Sequence, residues 1–396
     1  MHYKSENIEH GKYNQDPPRM IAKGTIGVFK VGNRTGAKIG PKGTLTYQVL
    51  ANTTVGPLAI DLKIFWDHPF SASTSTYNVT SSPVNQAYYD MSPARPEGHD
   101  QTITLTIQLK VTKPYAIERW MKSLKGNPNL SAITLPGTHD SGADKGTDLA
   151  KCQTLSIRGQ LDQGIRFLDV RLNGNQDVLR VFHGSVDMKL TFKEVQSSCV
   201  NFLKANPTEC ILMLINKSQG GGDPIDQMFL HEIEPDKAYW WLDTHIPYLN
   251  EVRGKIVLIR RFDYAGALGI NASEGWIKDS PSFEVNQGNI HVQDKYKVWY
   301  SKESIDGKWD DIKATMDYAQ STDKMVINFT SGGTHMEPVT LATGKALSLT
   351  GAQCINERLY NTVSQGKPRK LGILAMDFPE SPDPSLIDYI ISLNSF

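Results

Sequence analysis

TFKEVQSSCVNFLKANPTECILMLIN, residues 191–216, decides how the larger part of this chain folds. In its first half the apolar residues recur at intervals of three and four, the period of a helix with one buried face. Its second half, CILMLIN, is a continuous apolar run of strand length, the pattern of a strand covered on both faces. Similar short runs follow the same text: AITL (132–135), IRFLDVRL (165–172), LRVFH (179–183), KIVLIRR (255–261), KMVINF (324–329) and LGILAMD (371–377). A second helical stretch, WDDIKATMDYAQS (309–321), separates two of them. Apolar strands alternating with helices predict a parallel sheet. Roughly 280 residues of this pattern suit a closed β/α barrel, whose usual size is about 250.

The text changes near residue 112. Upstream, TIGVFKVG (25–32), TLTYQVLA (44–51), LAIDLKIFW (58–66) and QTITLTIQLKV (101–111) alternate with period two between Gly, Pro and Asn breaks. That pattern predicts an all-β sandwich. The expected organisation is multidomain: a polar tail over 1–23, a β-sandwich over 24–113, and a TIM-like β/α barrel, distorted in detail, over 114–396. No repeat at solenoid spacing is present.

Composition narrows the function classes. The 396 residues carry 42 Lys+Arg and 42 Asp+Glu, a net charge of +0, which opposes general nucleic-acid binding through phosphate neutralisation. Hydrophobic content of 39% and charged content of 21% are those of a folded globular protein. No apolar run approaches the ~20 residues of a membrane span. The opening MHYKSENIEHGKYNQDPPR lacks the apolar core of a secretory signal, so either a signal was removed, export uses another route, or the protein stays inside. Cys152, Cys199, Cys210 and Cys354 are too scattered for a disulfide scaffold or zinc knuckle, and buried free thiols are favoured over a Cys199–Cys210 bridge.

The residues that follow the apolar runs carry the chemistry. AITLPGT leads to His139 and Asp140, FLDV to Arg171, LRVF to His183, CILMLIN to Lys217, KIVLIR to Arg261 and GILAM to Asp377. In a β/α barrel the carboxyl ends of all strands meet on one face, where active sites are built. Each residue alone has a plainer reading. A single His is more often structural, Arg171 or Arg261 could close a surface ion pair, and Asp140 could cap a helix opened by HDSGA. Joint placement favours catalysis, and the chemistry that suits it is phosphoryl transfer by two imidazoles with aspartate partners and a guanidinium beside phosphorus. There is no HExxH, EF-hand loop or carboxylate cluster, and no cofactor or resident metal is expected.

WMKSL, LSAITLPGTHDSGA, IRGQLDQGIRFLDVRL, VFHG, HVQDKYKV, INFTSGGT and LAMD, in that order over residues 117–396, resemble bacterial phosphatidylinositol-specific phospholipase C. The resemblance implies cleavage of phosphatidylinositol, and of glycosyl-phosphatidylinositol anchors, to diacylglycerol and inositol 1,2-cyclic phosphate. It implies His139 as general base oriented by Asp377, His183 as general acid paired with Asp140, and Arg171 as the phosphate ligand in place of calcium. Lys217, Arg261, Asp294 and Tyr296 match positions that grip the inositol, with Trp276 and Asp279 beside them. Ser218-Gln219-Gly220 departs from the acidic residues usual after that lysine. The implied setting is a secreted monomer that works on phosphatidylinositol at a membrane surface.

The front is similar to actinoporin and fungal fruit-body lectin sandwiches through GTLTYQV, FWDHPFSASTSTYNV and AYYDMSP. That resemblance implies headgroup docking by Phe70, Tyr77, Tyr88 and Tyr89, on a membrane or a glycan. Pro17-Pro18 in the polar front opposes a membrane-inserting helix. Two other readings compete. One is a metal-dependent barrel phosphodiesterase acting on glycerophosphodiesters or sphingomyelin, which needs several carboxylates around the ion. The other is a non-catalytic, cytolysin-like binding protein, which the intact His139, His183, Asp140, Asp377 and Arg171 set opposes.

Overall fold

The computed structural model describes the backbone of the strands within residues 1–113, and residues 115–396 apart from 219–223, 334, 346, 348–349, 365–368 and 382. The chain divides into two compact units, Met1–Lys113 and Pro114–Phe396.

In the first unit the described elements are strands: β1 (His2–His10), β2 (Lys12–Gln15), β3 (Phe29–Gly32), β4 (Lys42–Thr53), β5 (Gly56–Asp67), β6 (Thr76–Ser82), β7 (Tyr88–Pro93), β8 (Thr102–Ile103) and β9 (Leu105–Lys110). They form sheets ordered β1-β4-β5-β6, β2-β3-β8 and β7-β9, antiparallel at every pairing. The β4–β5 hairpin runs from Lys42 opposite Asp67 to Thr53 opposite Gly56. Its period-two text suits the pleat, which turns alternate side chains to opposite faces. Strands β1 and β2 fall within the stretch expected as a polar tail. Phe70, and the side chains of Tyr77, Tyr88 and Tyr89, lie outside the described residues.

The second unit is built on β10 (Leu135–Thr138), β11 (Phe167–Asn175), β12 (Val178–His183), β13 (Val186–Thr191), β14 (Ile211–Lys217), β15 (Trp240–Trp241), β16 (Ile256–Arg261), β17 (Ile270–Asn271), β18 (Phe283–Val285), β19 (Ile290–Gln293), β20 (Met325–Phe329) and β21 (Ile373–Met376). The helices are α1 (Ile157–Asp162), α2 (Phe192–Ala205), α3 (Ile225–Ile233), α4 (Leu249–Val252), α5 (Lys302–Ala319), α6 (Pro338–Thr343), α7 (Ile355–Val363) and α8 (Ser385–Ser392). The order β15-β16-β14-β11-β10-β21-β20-β19-β18 is parallel except where β18 meets β19. Among the described residues no ladder joins β17 to β18, so the curled sheet is a barrel left open on that side.

Local chemistry explains the main elements. Helix α2 starts at Thr191, whose side chain accepts from Glu194 N–H while Glu194 accepts from Thr191 N–H, a reciprocal cap. It buries Phe192, Val195, Cys199, Phe202 and Leu203 against the sheet. Ile211–Ile215 of β14 are wholly buried, as a strand covered on both faces must be. Cys152, Cys199, Cys210 and Cys354 are all free and buried.

Two runs behave differently from their text. AITL does not form the first strand; a 3-10 turn covers Leu130–Ala132 and β10 begins at Leu135. Gly137 sits there because a Cβ would come within 2.8 Å of the Phe167 ring. LRVFH belongs to the antiparallel β12, not to the parallel sheet. Gln176 and Asp177 both take positive φ, 50° and 63°, between paired Asn175 and Val178. Two such residues fold the chain straight back as a tight hairpin.

Candidate active site

The strand ends deliver their residues to one pocket of about 1200 Å³, which His139, Arg171, His183, Lys217, Arg261, Trp276, Asp294 and Tyr296 all line. At the end of β10 the His139 N–H donates to Met376 O at 2.9 Å, stitching His139 to the end of β21. Gln153 Nε2 clasps the same joint, donating to His139 O at 2.7 Å and to Met376 O at 3.0 Å. That brings His139 Nδ1 to 2.8 Å from Asp377 Oδ1. A carboxylate there keeps the proton on Nδ1 and leaves Nε2 as the reactive nitrogen. Burial pulls the His139 pKa down, but the Asp377 and Asp140 carboxylates outweigh it and hold the ring above its ordinary 6.5.

Asp140 is the hinge of the site. Its φ of +40° is an unfavourable conformation for a residue with a side chain, the kind of local strain that a functional geometry can require. No helix begins at HDSGA; the backbone makes a turn in which Ala143 N–H donates to Asp140 O. The side chain, 2% exposed, therefore serves the pocket. Its Oδ2 lies 3.3 Å from His139 Nε2 and 3.5 Å from His183 Nε2. Oδ1 lies 3.0 Å from Arg171 Nε. Burial raises its pKa, yet Arg171 and the two imidazoles win and hold it below the usual carboxylate value.

His183 is fixed from the far side, with Nδ1 2.7 Å from Ala150 O. A carbonyl can only accept, so Nδ1 carries a proton and Nε2 faces Asp140. Arg171 Nη2 is 2.7 Å from His139 Nε2 and 3.3 Å from Asp169 Oδ2. Burial disfavours the guanidinium charge, but Asp140 and Asp169 more than offset this and raise its pKa.

The outer part of the pocket holds a second cluster. The Arg261 guanidinium stacks 3.7 Å from the Trp276 ring, and Trp276 Nε1 donates to Asp294 Oδ2 at 2.9 Å. Arg261 Nη2 is 3.8 Å from the same oxygen. Burial outweighs that long ion pair on both sides, lowering Arg261 to about 10 and raising Asp294. An aromatic face, a carboxylate and the Arg261 cation, with Lys217 elsewhere on the pocket lining, suit a ring bearing several hydroxyls. Asp279 is not a lining residue. It accepts from the N–H groups of Tyr296 and Lys297 at 3.2 and 2.8 Å and so holds the loop that presents Tyr296. Ser218, in the position of the departure, donates its hydroxyl to Gly184 O at 2.7 Å.

Sequence reasoning passed over Asp169 and Gln153. Asp169 was within reach: D-x-R on a strand puts both side chains on one face, and Asp169 Oδ2 also accepts from Asp140 N–H at 3.2 Å. No pattern in the text marks Gln153.

Comparison with known proteins gives a consistent result. The PI-PLC X family model matches residues 127–228. A 1-phosphatidylinositol phosphodiesterase of Listeria monocytogenes serovar 1/2a is 31% identical over 294 residues, covering 70% of this chain and 86% of the relative. A second, from Staphylococcus aureus strain Newman, is 27% identical over 296 residues, covering 69% and 92%. Among solved structures, the phosphatidylinositol-specific phospholipase C of Listeria monocytogenes superposes with a TM-score of 0.55 at 28% identity, covering 71% of this chain and all of that one. The two histidines, their aspartates and the arginine thus stand in a fold and a sequence shared with these enzymes, and the chain belongs to the bacterial phosphatidylinositol-specific phospholipase C family.

Proposed function

We propose that the chain cleaves phosphatidylinositol to diacylglycerol and inositol 1,2-cyclic phosphate, without a metal ion. The observation that carries this reading is Asp140 Oδ2 lying between His139 Nε2 and His183 Nε2, with Arg171 against the same carboxylate. His139 Nε2 takes the proton of the inositol 2-hydroxyl, whose oxygen bonds to phosphorus. The bond from phosphorus to the glycerol oxygen breaks, and His183 Nε2–H protonates that oxygen. Arg171 is the group that meets the charge growing on the phosphoryl oxygens. Lys217, Arg261, Asp294, Tyr296 and Trp276 hold the inositol ring. A calcium- or magnesium-dependent reading needs carboxylates free to surround an ion; here Arg171 occupies two of them. The test is ³¹P NMR on phosphatidylinositol micelles in chelator, where a cyclic-phosphate resonance is expected. Linear inositol phosphate as the first product, or no turnover in chelator, overturns the proposal.

The pH profile follows from the electrostatics. A protonated His139 cannot accept the hydroxyl proton, so kcat/KM falls as pH drops through its pKa. That pKa lies above the ordinary 6.5, and the acid limb lies there too. Asp377→Asn removes one of the carboxylates that raise it and moves the limb to lower pH. A limb that stays in place in that variant removes His139 from the role of base.

We further propose that residues 24–113 form a β-sandwich that docks on lipid headgroups, on the strength of the FWDHPFSASTSTYNV and AYYDMSP resemblance. A linked docking unit raises the local concentration of the barrel at its substrate. A chain starting at Tyr115 is expected to keep its rate on soluble inositol cyclic phosphate, and to lose rate and sedimentation on phosphatidylcholine-rich vesicles. Tyr88→Ala with Tyr89→Ala reproduces part of that loss. Equal vesicle binding by the truncated and full chains removes the docking role. Secretion and action on glycosyl-phosphatidylinositol anchors rest on the family resemblance.

A further inference from the structure

We propose that Lys308 is a positioning residue for the inositol site, acting through the backbone beside Asp294 and Tyr296. Lys308 lies on α5 in the row Ile305, Lys308, Ile312, Thr315 and Met316, all buried. An apolar side chain belongs at that spacing, and a buried ammonium is costly unless its protons are all used. Lys308 is 2% exposed and uses all three. Its Nζ donates to Gln293 Oε1 at 3.1 Å, to Lys295 O at 2.6 Å and to Phe329 O at 2.6 Å. The acceptors are thus the two chain neighbours of Asp294 and the last residue of β20.

A connected network surrounds that point. Gln293 Oε1 also accepts from Lys295 N–H at 2.7 Å, and Gln293 Nε2 donates to Asn328 Oδ1 and Phe329 O, each at 2.8 Å. Asp294, set between two anchored residues, meets Trp276 Nε1 and Arg261. The Phe329 ring packs edge-on to Trp276 at 6.2 Å. Asp279 holds the next residues, Tyr296 and Lys297, while Lys308 holds the start of the same loop. The two imidazoles are seated through Asp377, Gln153 and Ala150 instead, so loss of Lys308 should reach binding before chemistry.

Charge matters here as well as shape. An ammonium donates three protons and a neutral amine two, so deprotonation leaves one of the three acceptors unmet. Burial lowers the Lys308 pKa to about 7, against the pull of Asp294 and Asp279 from the loops, Asp311 from α5 itself and Asp377 from the end of β21. The loop's own cations, Lys295 and Lys297, face Asp279 at 2.9 and 3.9 Å. The grip on the loop is complete below that pH and loosens above it.

The inference rests on the reading of Asp294 and Tyr296 as inositol contacts, and the test separates the two. KM and kcat are measured for the full chain on soluble inositol 1,2-cyclic phosphate. Lys308→Met is expected to raise KM by at least ~10-fold while kcat changes less than about 3-fold, the pattern of lost ground-state binding. In the wild type KM climbs as pH rises through about 7, and in Lys308→Met that climb is absent. Lys308→Gln, which keeps two N–H donors without the charge, should raise KM less and also abolish the climb. A purely structural lysine would lower the melting midpoint without removing a pH step from KM. Unchanged KM in Lys308→Met, or a pH step that persists in it, overturns the proposal. If neither variant folds, the wild-type profile decides: a step in KM upholds the role and a flat KM overturns it. Asp294→Ala checks the underlying reading. If its KM stays at the wild-type value, the inositol contact falls and the Lys308 role with it. If its KM rises while that of Lys308→Met does not, the Lys308 role alone falls.

Discussion

His139→Ala and His183→Ala each lose about 10²–10⁴-fold in turnover on phosphatidylinositol, the usual contribution of a positioned general acid or base. The geometry separates the two losses. His139 is locked to Asp377 at 2.8 Å with Nε2 facing the pocket, so removing it leaves the 2-hydroxyl without an acceptor. Removing His183 leaves the attack possible but strips the proton from the departing glycerol oxygen. A substrate analogue with a leaving group that needs no protonation should therefore recover much of its rate in His183→Ala and little in His139→Ala. Both rings lie at the pocket, with side chains 12% and 22% exposed, so truncation leaves the packed interior alone. Circular dichroism and the melting midpoint are the controls. Near-wild-type turnover by either variant removes that residue from the chemistry. Equal recovery of both on the activated analogue removes the division of labour between them.

What the text revealed and what it hid have separate physical causes. CILMLIN and the stretch before it translate directly into β14 and α2, because burial of a whole strand and of one helix face each write a strict pattern. AITL misled because only Leu135 of it enters the strand: Ala132 closes the 3-10 turn and is exposed, and Ile133 is buried ahead of the backbone pairing. LRVFH misled because an apolar run says nothing of strand direction; the positive φ values at Gln176 and Asp177 set it. The site residues were legible as strand ends, since a parallel sheet brings all those ends to one edge. Their pairings were legible only through the family resemblance. Nothing in HD-x-x-x reveals that Asp140 turns through positive φ to stand between two histidines 44 residues apart, or that Gln153 clamps the His139 backbone. Such contacts depend on three-dimensional closure and leave no periodic mark.

Arg171→Lys is expected to lose at least ~10² in turnover while the chain still folds, because the proposed phosphate contact uses the fork and not only the charge. One guanidinium reaches Asp140 Oδ1 through Nε at 3.0 Å, and both Asp169 Oδ2 and His139 Nε2 through Nη2 at 3.3 and 2.7 Å. An ammonium can compensate one carboxylate at a time and cannot also present two parallel N–H groups to a phosphoryl. Arg171→Met is the harsher change. It leaves Asp140 and Asp169, 2% and 0% exposed, without their shared cation, and losing one partner of a buried pair costs about 3–5 kcal/mol. That variant should therefore lose stability as well as rate, whereas the lysine variant should lose mainly rate. The pH profile provides the check that a merely structural role would not move. In the wild type the Arg171 charge lowers the His139 pKa against the pull of the two aspartates. Removing that charge in Arg171→Met lifts the acid limb of kcat/KM to higher pH, while Arg171→Lys, which keeps a charge nearby, shifts it less. If Arg171→Lys retains full turnover in chelator, the guanidinium is not the phosphate ligand. If Arg171→Met leaves the acid limb where it was, the contact between Arg171 and the base has no part in the reactive state.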